Sequence, residues 1–225
     1  ETKWIDYGPD NYAGVTWSNT RDKTFFMGWM SNWSYAQVVP TTTWRSAMTL
    51  PRELRLEKTG NDLRIASWPV KSLLPLLSGT VKSKGMGESP YNVFRMSNKS
   101  GIPCQINFSA AKHAFSLRFS NEAGEELLIG YDDTLNQYYI DRSKSGKTAF
   151  HADFPLRTVA PRISLTDTIK LSVVVDVSSI ELFADKGLTA MTALYFPSGP
   201  FTKAELISTM PFKVDAIELT YLGKR

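Results

Sequence analysis

Ala114-Phe-Ser-Leu-Arg-Phe-Ser120 alternates apolar and polar residues one by one, setting Phe115, Leu117 and Phe119 on one face of an extended chain and Ser116, Arg118 and Ser120 on the other. A helix would scatter those three large side chains around its axis, so the run fits a half-buried strand. Short β-rich runs recur at residues 11–17, 24–30, 91–97, 104–110, 126–132, 137–141, 169–177, 180–184, 191–196 and 214–222. Clusters of Gly, Pro, Asn, Asp and Ser separate them at roughly the 8 to 12 residue spacing of sandwiches and barrels. The chain reads as all-β.

Tryptophan divides it in two. Trp4, Trp17, Trp29, Trp33, Trp44 and Trp68 all lie in residues 1–68, and residues 69–225 contain none. Where tryptophan stops, Trp68-Pro-Val-Lys-Ser-Leu-Leu-Pro-Leu-Leu-Ser-Gly79 breaks the alternation, and Pro75 would interrupt a helix there. The expected organisation is therefore a first unit over 1–68, a linker over 69–79 and a second unit over 80–225. The second is long enough to bury its own core, whereas 68 residues of aromatic-rich strands need neighbours.

Composition excludes several classes. The net charge of +4 is spread as +1 over residues 1–68 and +3 over the rest, with no Arg/Lys stripe for a nucleic-acid partner. No apolar run is long enough for a transmembrane helix. Cys104 is the lone cysteine, and His113 and His151 stand apart without metal-ligand spacing, so neither a disulfide nor a metal or cofactor site is expected. Gly85-Met-Gly87 is only part of a phosphate loop. The chain opens Glu-Thr-Lys-Trp4, which reads as a processed end or a start within a longer protein.

Longer strings are more specific. Asp6-Tyr-Gly-Pro-Asp10-Asn-Tyr12-Ala, Met27-Gly-Trp29-Met-Ser-Asn32-Trp33-Ser-Tyr35-Ala and Pro40-Thr-Thr-Thr-Trp44-Arg45-Ser-Ala-Met48-Thr-Leu-Pro51-Arg52-Glu53-Leu occur in that order. In the second unit stand Tyr139-Ile-Asp141-Arg142-Ser-Lys-Ser145-Gly146 and Asp176-Val-Ser178-Ser179-Ile-Glu181-Leu-Phe183, then Gly187, Met191-Thr192 and Phe196-Pro197. Together they resemble glycoside hydrolase family 32, the fructan hydrolases and invertases. Asn11, where the family usually has an aromatic, and Val177, where it usually has Arg, depart from the pattern. The resemblance implies the last blade of a five-bladed β-propeller followed by a concanavalin-like β-sandwich.

It also implies catalytic groups that are not found. The family's nucleophile is the Asp of a Trp-Met-Asn-Asp-Pro-Asn-Gly type motif, its transition-state stabiliser the Asp of Arg-Asp-Pro, and its acid/base the Glu of Glu-Cys. None of these strings occurs here, and Cys104 follows Pro103. No catalytic residue is therefore expected in these residues; all three would belong to blades preceding residue 1.

Candidate binding residues remain. Asp6 reads as a turn cap within Asp6-Tyr-Gly8-Pro9, while Asp10, opening a strand toward the propeller axis, is open between a pocket role and a structural one. By resemblance Trp29 or Trp33 lines the fructosyl pocket, since an indole offers a large apolar face and an N–H donor; a place in the core is the competing reading. Tyr12, Asn32 and Arg45 are candidates for polar contacts, with an Arg45–Glu53 pair as the alternative for Arg45. The implied partner is fructan or a fructosyl oligosaccharide, in a secreted or periplasmic enzyme acting on levan, inulin or sucrose. A non-catalytic sugar-binding sandwich and a purely structural sandwich are the alternatives, and an orphan blade would favour self-association.

Overall fold

The computed structural model describes residues 2–83, 89–97, 101–208 and 214–223, with the side chains of 74–77 excepted. Gly85-Met-Gly87 lies outside the described residues. Among them, the strands assemble into three antiparallel sheets.

The first sheet comprises β1 (Tyr12–Thr16), β2 (Thr24–Met30), β3 (Ala47–Met48), β4 (Arg52–Thr59) and β5 (Asp62–Pro69). Its order is β1-β2-β4-β5, with the short β3 also beside β2. Along β2, Phe26, Gly28 and Met30 are buried, whereas Phe25, Met27 and Trp29 stay half-exposed on the opposite face. Gly60, at φ +61°, opens the two-residue turn between β4 and β5, a left-handed position that suits glycine in a hairpin.

Two six-stranded sheets form the sandwich. One holds β6 (Leu77–Ser83), β8 (Cys104–Ala111), β13 (Thr168–Val175), β14 (Ser179–Ala184), β15 (Thr189–Leu194) and β17 (Val214–Leu222), in the order β15-β14-β13-β8-β17-β6. The other holds β7 (Tyr91–Asn92), β9 (Phe115–Ser120), β10 (Glu126–Asp132), β11 (Gln137–Lys144), β12 (Arg157–Pro161) and β16 (Lys203–Ile207), in the order β12-β11-β10-β9-β16-β7. The core lies between them. Ile106 and Phe108 of β8, Phe115, Leu117 and Phe119 of β9, and Leu127 and Ile129 of β10 are all buried there. Each such side chain contributes about 1.5–3 kcal/mol by leaving water.

One expected strand is mostly something else. Of residues 91–97, only Tyr91–Asn92 is strand, and Val93–Met96 is a 3-10 turn. The Asn92 side chain accepts the Phe94 N–H at 3.1 Å, closing the turn, and the successive residues Val93 and Phe94 are both buried. Strands β4 and β5 are not evident from periodicity; in Arg52-Glu-Leu-Arg-Leu-Glu-Lys-Thr59 charge dominates and Arg55–Lys58 are exposed on both faces.

The first sheet and the sandwich are joined along β15. The segment before β1 lies beside it, with the Tyr7 N–H donating to Ala190 O at 2.8 Å and the Asp10 N–H to Thr192 O at 3.2 Å. This covers the edge of a strand that would otherwise present unpaired backbone groups. The approach is close enough to require glycine: a Cβ on Gly8 would come within 2.1 Å of Thr192 backbone atoms, and one on Gly187 (φ +89°) within 2.3 Å of Ser67 O.

Candidate functional site

Two arginines hold the joint from opposite directions. Arg52, which opens β4 and is fully buried, donates through Nη1 to Asp6 Oδ2 at 2.7 Å and through Nη2 to Glu181 Oε2 at 2.5 Å and Thr192 Oγ1 at 2.7 Å. Asp6 also accepts from the N–H groups of Gly8 (2.7 Å) and Thr192 (3.0 Å) and from the Thr192 hydroxyl (2.6 Å). Burial works to raise the Asp6 carboxyl, but Arg52, Thr192 and Asn11 outweigh it and hold it below the usual carboxylate range. Glu181, although it faces the same guanidinium, is pushed up by burial.

Arg142, at the far end of β11, reaches the other way. Its Nη1 donates to Asp10 Oδ2 at 2.5 Å, its Nη2 to the Tyr35 hydroxyl at 2.8 Å and its Nε to Phe154 O at 2.7 Å. Asp10 is completed by the Leu194 N–H at 2.8 Å and the Tyr35 hydroxyl at 2.5 Å. Burial raises Asp10 against the pull of Arg142, and the Tyr35 phenol is raised strongly by burial and by Asp10. The guanidinium carbon lies 3.9 Å from the centroid of the Phe154 ring. Met30, Tyr35 and Val39 pack with Phe154, Leu194 and Phe196 in a second apolar cluster around this pair.

The exposed side is different in kind. Tyr12 stands opposite Trp29 in the β1–β2 register, their rings 6.3 Å apart and edge to face, and the Trp29 and Trp33 rings are 5.0 Å apart. Trp33 is 64% exposed and Tyr12 55%, while Trp29 is half-buried beneath them. Met48, also exposed, faces Trp29 from β3. Such a platform can take the apolar face of a sugar ring while its N–H and O–H groups remain available as donors.

The sequence candidates thus separate. Tyr12, Trp29 and Trp33 come together. Asn32 adjoins them, but its amide donates to Pro9 O and accepts from the Ser34 N–H, both at 2.9 Å, so it fixes the backbone that carries Trp33. Asp10 is fully buried against the sandwich. Arg45 is exposed and donates to Gln37 O, while Glu53 takes Lys23 at 3.2 Å instead. Periodicity alone did not single out Arg52, Arg142, Glu181 or Thr192. A signal existed in Ser179-Ile-Glu-Leu-Phe-Ala184, where Glu181 and Phe183 occupy the face opposite three small or apolar core residues and both are buried. A strand buried on both faces that contains a carboxylate needs a cationic partner.

Comparison with known proteins decides the relationship. The description "Glycosyl hydrolases family 32 N-terminal domain" matches residues 1–69, and "Glycosyl hydrolases family 32 C terminal" matches residues 78–220. The chain belongs to glycosyl hydrolase family 32. It is 36% identical over 207 residues to a levanase of Bacillus subtilis, covering 86% of this chain and 30% of that protein. It is 34% identical over 214 residues to an extracellular exo-inulinase of Aspergillus niger, covering 92% of this chain and 40% of the relative. The chain therefore spans well under half the length of these family 32 relatives. The crystal structure of exo-inulinase from Aspergillus awamori superposes with a TM-score of 0.81 at 27% identity, over 98% of this chain and 44% of that one. A β-fructofuranosidase from Schwanniomyces occidentalis shares the fold at a TM-score of 0.83 and 23% identity, over 100% of this chain and 50% of its own. Within the family 32 fold, the first sheet is a propeller blade and the two six-stranded sheets are the β-sandwich that follows it.

Proposed function

We propose that the chain is the C-terminal part of a secreted, retaining β-fructofuranosidase acting on levan, inulin or sucrose, and that its own residues bind and brace rather than cleave. In this reading the nucleophile, stabiliser and acid/base lie outside these 225 residues. The observation that carries it is the contrast between the two faces of the blade. Tyr12, Trp29 and Trp33 gather on the open face, while Asp6, Asp10 and Glu181 are buried against two arginines, Arg52 serving both Asp6 and Glu181. Carboxylates buried in that way are tied into the joint, whereas retaining hydrolysis needs one free to attack the anomeric carbon and another able to give and take a proton to substrate.

The exposed aromatics would form one wall of the fructosyl pocket, completed by the other blades. Secretion is supported by the extracellular exo-inulinase relatives; among the described residues no helix is long and apolar enough to cross a membrane. The 225-residue chain should release no fructose from levan, inulin or sucrose, and the same chain extended by its upstream coding sequence should release it. Release by the short chain, or none by the extended one, would overturn the reading.

The buried arginine joints favour a bracing role for the sandwich. They tie it to the blade over a continuous buried surface rather than by a tether. With Tyr12, Val15, Trp17 and Trp33 exposed together on the isolated blade, self-association of the short chain follows, to be read by light scattering against concentration.

A further inference from the structure

Strand β8 runs through the middle of its sheet, sending Cys104, Ile106, Phe108 and Ala110 into the core and Gln105, Asn107 and Ser109 outward. These three polar residues line the floor of a groove of about 630 Å³ on the outer face of the sandwich. That size lies within the range of about 300–1,000 Å³ typical of ligand sites. Trp68 of β5 stands at its side, its indole half-buried and edge-on to Phe183 at 6.0 Å, and continues into an adjoining apolar hollow with Leu50, Pro69 and Val70.

The lining chemistry narrows the ligand. Lys82 and Glu218 at the rim pair at 2.6 Å, so among the described residues Lys170 is the one ionic residue of the lining without an ion pair. Gln105 is engaged with the Ser172 hydroxyl at 2.9 Å. Among the described residues, the half-buried side chains of Asn107 and Ser109 make no hydrogen bond to protein, which leaves an amide and a hydroxyl open to the groove. An indole wall beside an open amide and hydroxyl, with a single lysine, matches a hydroxyl-rich chain with apolar ring faces, to whose oxygens Lys170 can also donate.

We infer that this groove is a second binding site for a neutral polysaccharide, here the fructan itself, held on the sandwich apart from the Tyr12–Trp29–Trp33 platform. The fructan assignment rests on the function proposed above. A polymer so held would be retained beside the enzyme between cleavage events.

The test is affinity gel electrophoresis of the 225-residue chain in gels containing levan, inulin or dextran, run for wild type, Asn107→Ala and Trp33→Ala. The Asn107 side chain makes no hydrogen bond to protein among the described residues, so its truncation should leave the unfolding midpoint unchanged. The expected result is retardation of wild type by levan or inulin, a dissociation constant raised roughly fivefold in Asn107→Ala through loss of a ligand hydrogen bond, and wild-type retention by Trp33→Ala. No retardation of wild type would overturn the inference, as would retention that Trp33→Ala abolishes and Asn107→Ala leaves untouched. Retention by dextran alone would overturn the fructan assignment. Fructose release by the upstream-extended protein is read separately, so the groove can fail while the proposed function stands, or the reverse.

Discussion

Arg142 of the sandwich and Asp10 of the blade meet at 2.5 Å with side chains that are 1% and 0% exposed. Each would be a costly isolated charge at that depth, so neither unit can keep its half of the pair without the other. Arg142→Ala should destabilise the chain by about 3–5 kcal/mol, because it strands a buried carboxylate. The double variant Asp10→Asn/Arg142→Met should recover much of the loss. Urea unfolding of both gives the comparison, and equal stability of the two variants would contradict it.

The glycines of the joint make a second prediction. Ala at position 8 or 187 would drive a methyl group into backbone of the opposite unit, at Thr192 or Ser67. Overpacking of this kind costs about 1–3 kcal/mol, and backbone has no rotamer by which to yield. Gly199→Ala is the control, since nothing lies within 4 Å of its added carbon and its φ is not left-handed. Thermal unfolding should show a lower midpoint for the first two and no change for the third.

Acid should weaken the joint through Asp6. Its folded carboxyl is held below the usual value even though burial opposes this, so its contribution is present above the unfolded pKa near 3.9 and is lost as pH falls through the depressed folded value. Asp6→Asn should therefore be less stable than wild type at neutral pH. The gap should narrow progressively below pH about 4. Denaturant midpoints measured from pH 7 down to 2 give the slope, and a gap that widens on acidification would refute the assignment.

Trp33 should separate binding from folding. Being 64% exposed, its replacement by Ala should change stability by no more than about 0.5 kcal/mol. In the upstream-extended protein the same change should raise KM for fructosyl substrates about tenfold, from a lost stacking contact of about 1.5 kcal/mol. Unchanged steady-state kinetics would remove Trp33 from the pocket wall.

Cys104, 0% exposed in the sandwich core, has its thiol pushed up to about 12 by burial. It should resist a thiol reagent in the native protein at pH 8 and react fully in urea.

How much of this was legible in the sequence depended on which neighbours a residue answers to. In β9 the register is set by one buried face, and the alternation of Phe115, Leu117 and Phe119 is enough to identify it. Arg52 and Arg142 each answer to a carboxylate more than a hundred positions away, Glu181 and Asp10, which no local pattern reveals. Asp6 fell between. Its bond to the Gly8 N–H is the local turn cap that its sequence suggests, but Arg52 and Thr192 add a second, long-range duty. Strand β4 was hidden for the opposite reason: Arg55–Lys58 are exposed in succession, on both faces, and leave no apolar rhythm.

The pairing of residues 7–10 with β15 also sets an order of events during synthesis. Asp6 and Thr192 are 186 positions apart, so the blade's first segment leaves the ribosome long before the strand it lies against exists. Until β15 is made, Gly8 has no backbone to press on and Asp10 lacks the Leu194 N–H that completes its hydrogen bonds. Closing so distant a contact is slow, and the nascent blade waits with its aromatic residues uncovered. A strand translated 186 positions after Asp6 is therefore the one that makes the segment before β1 native.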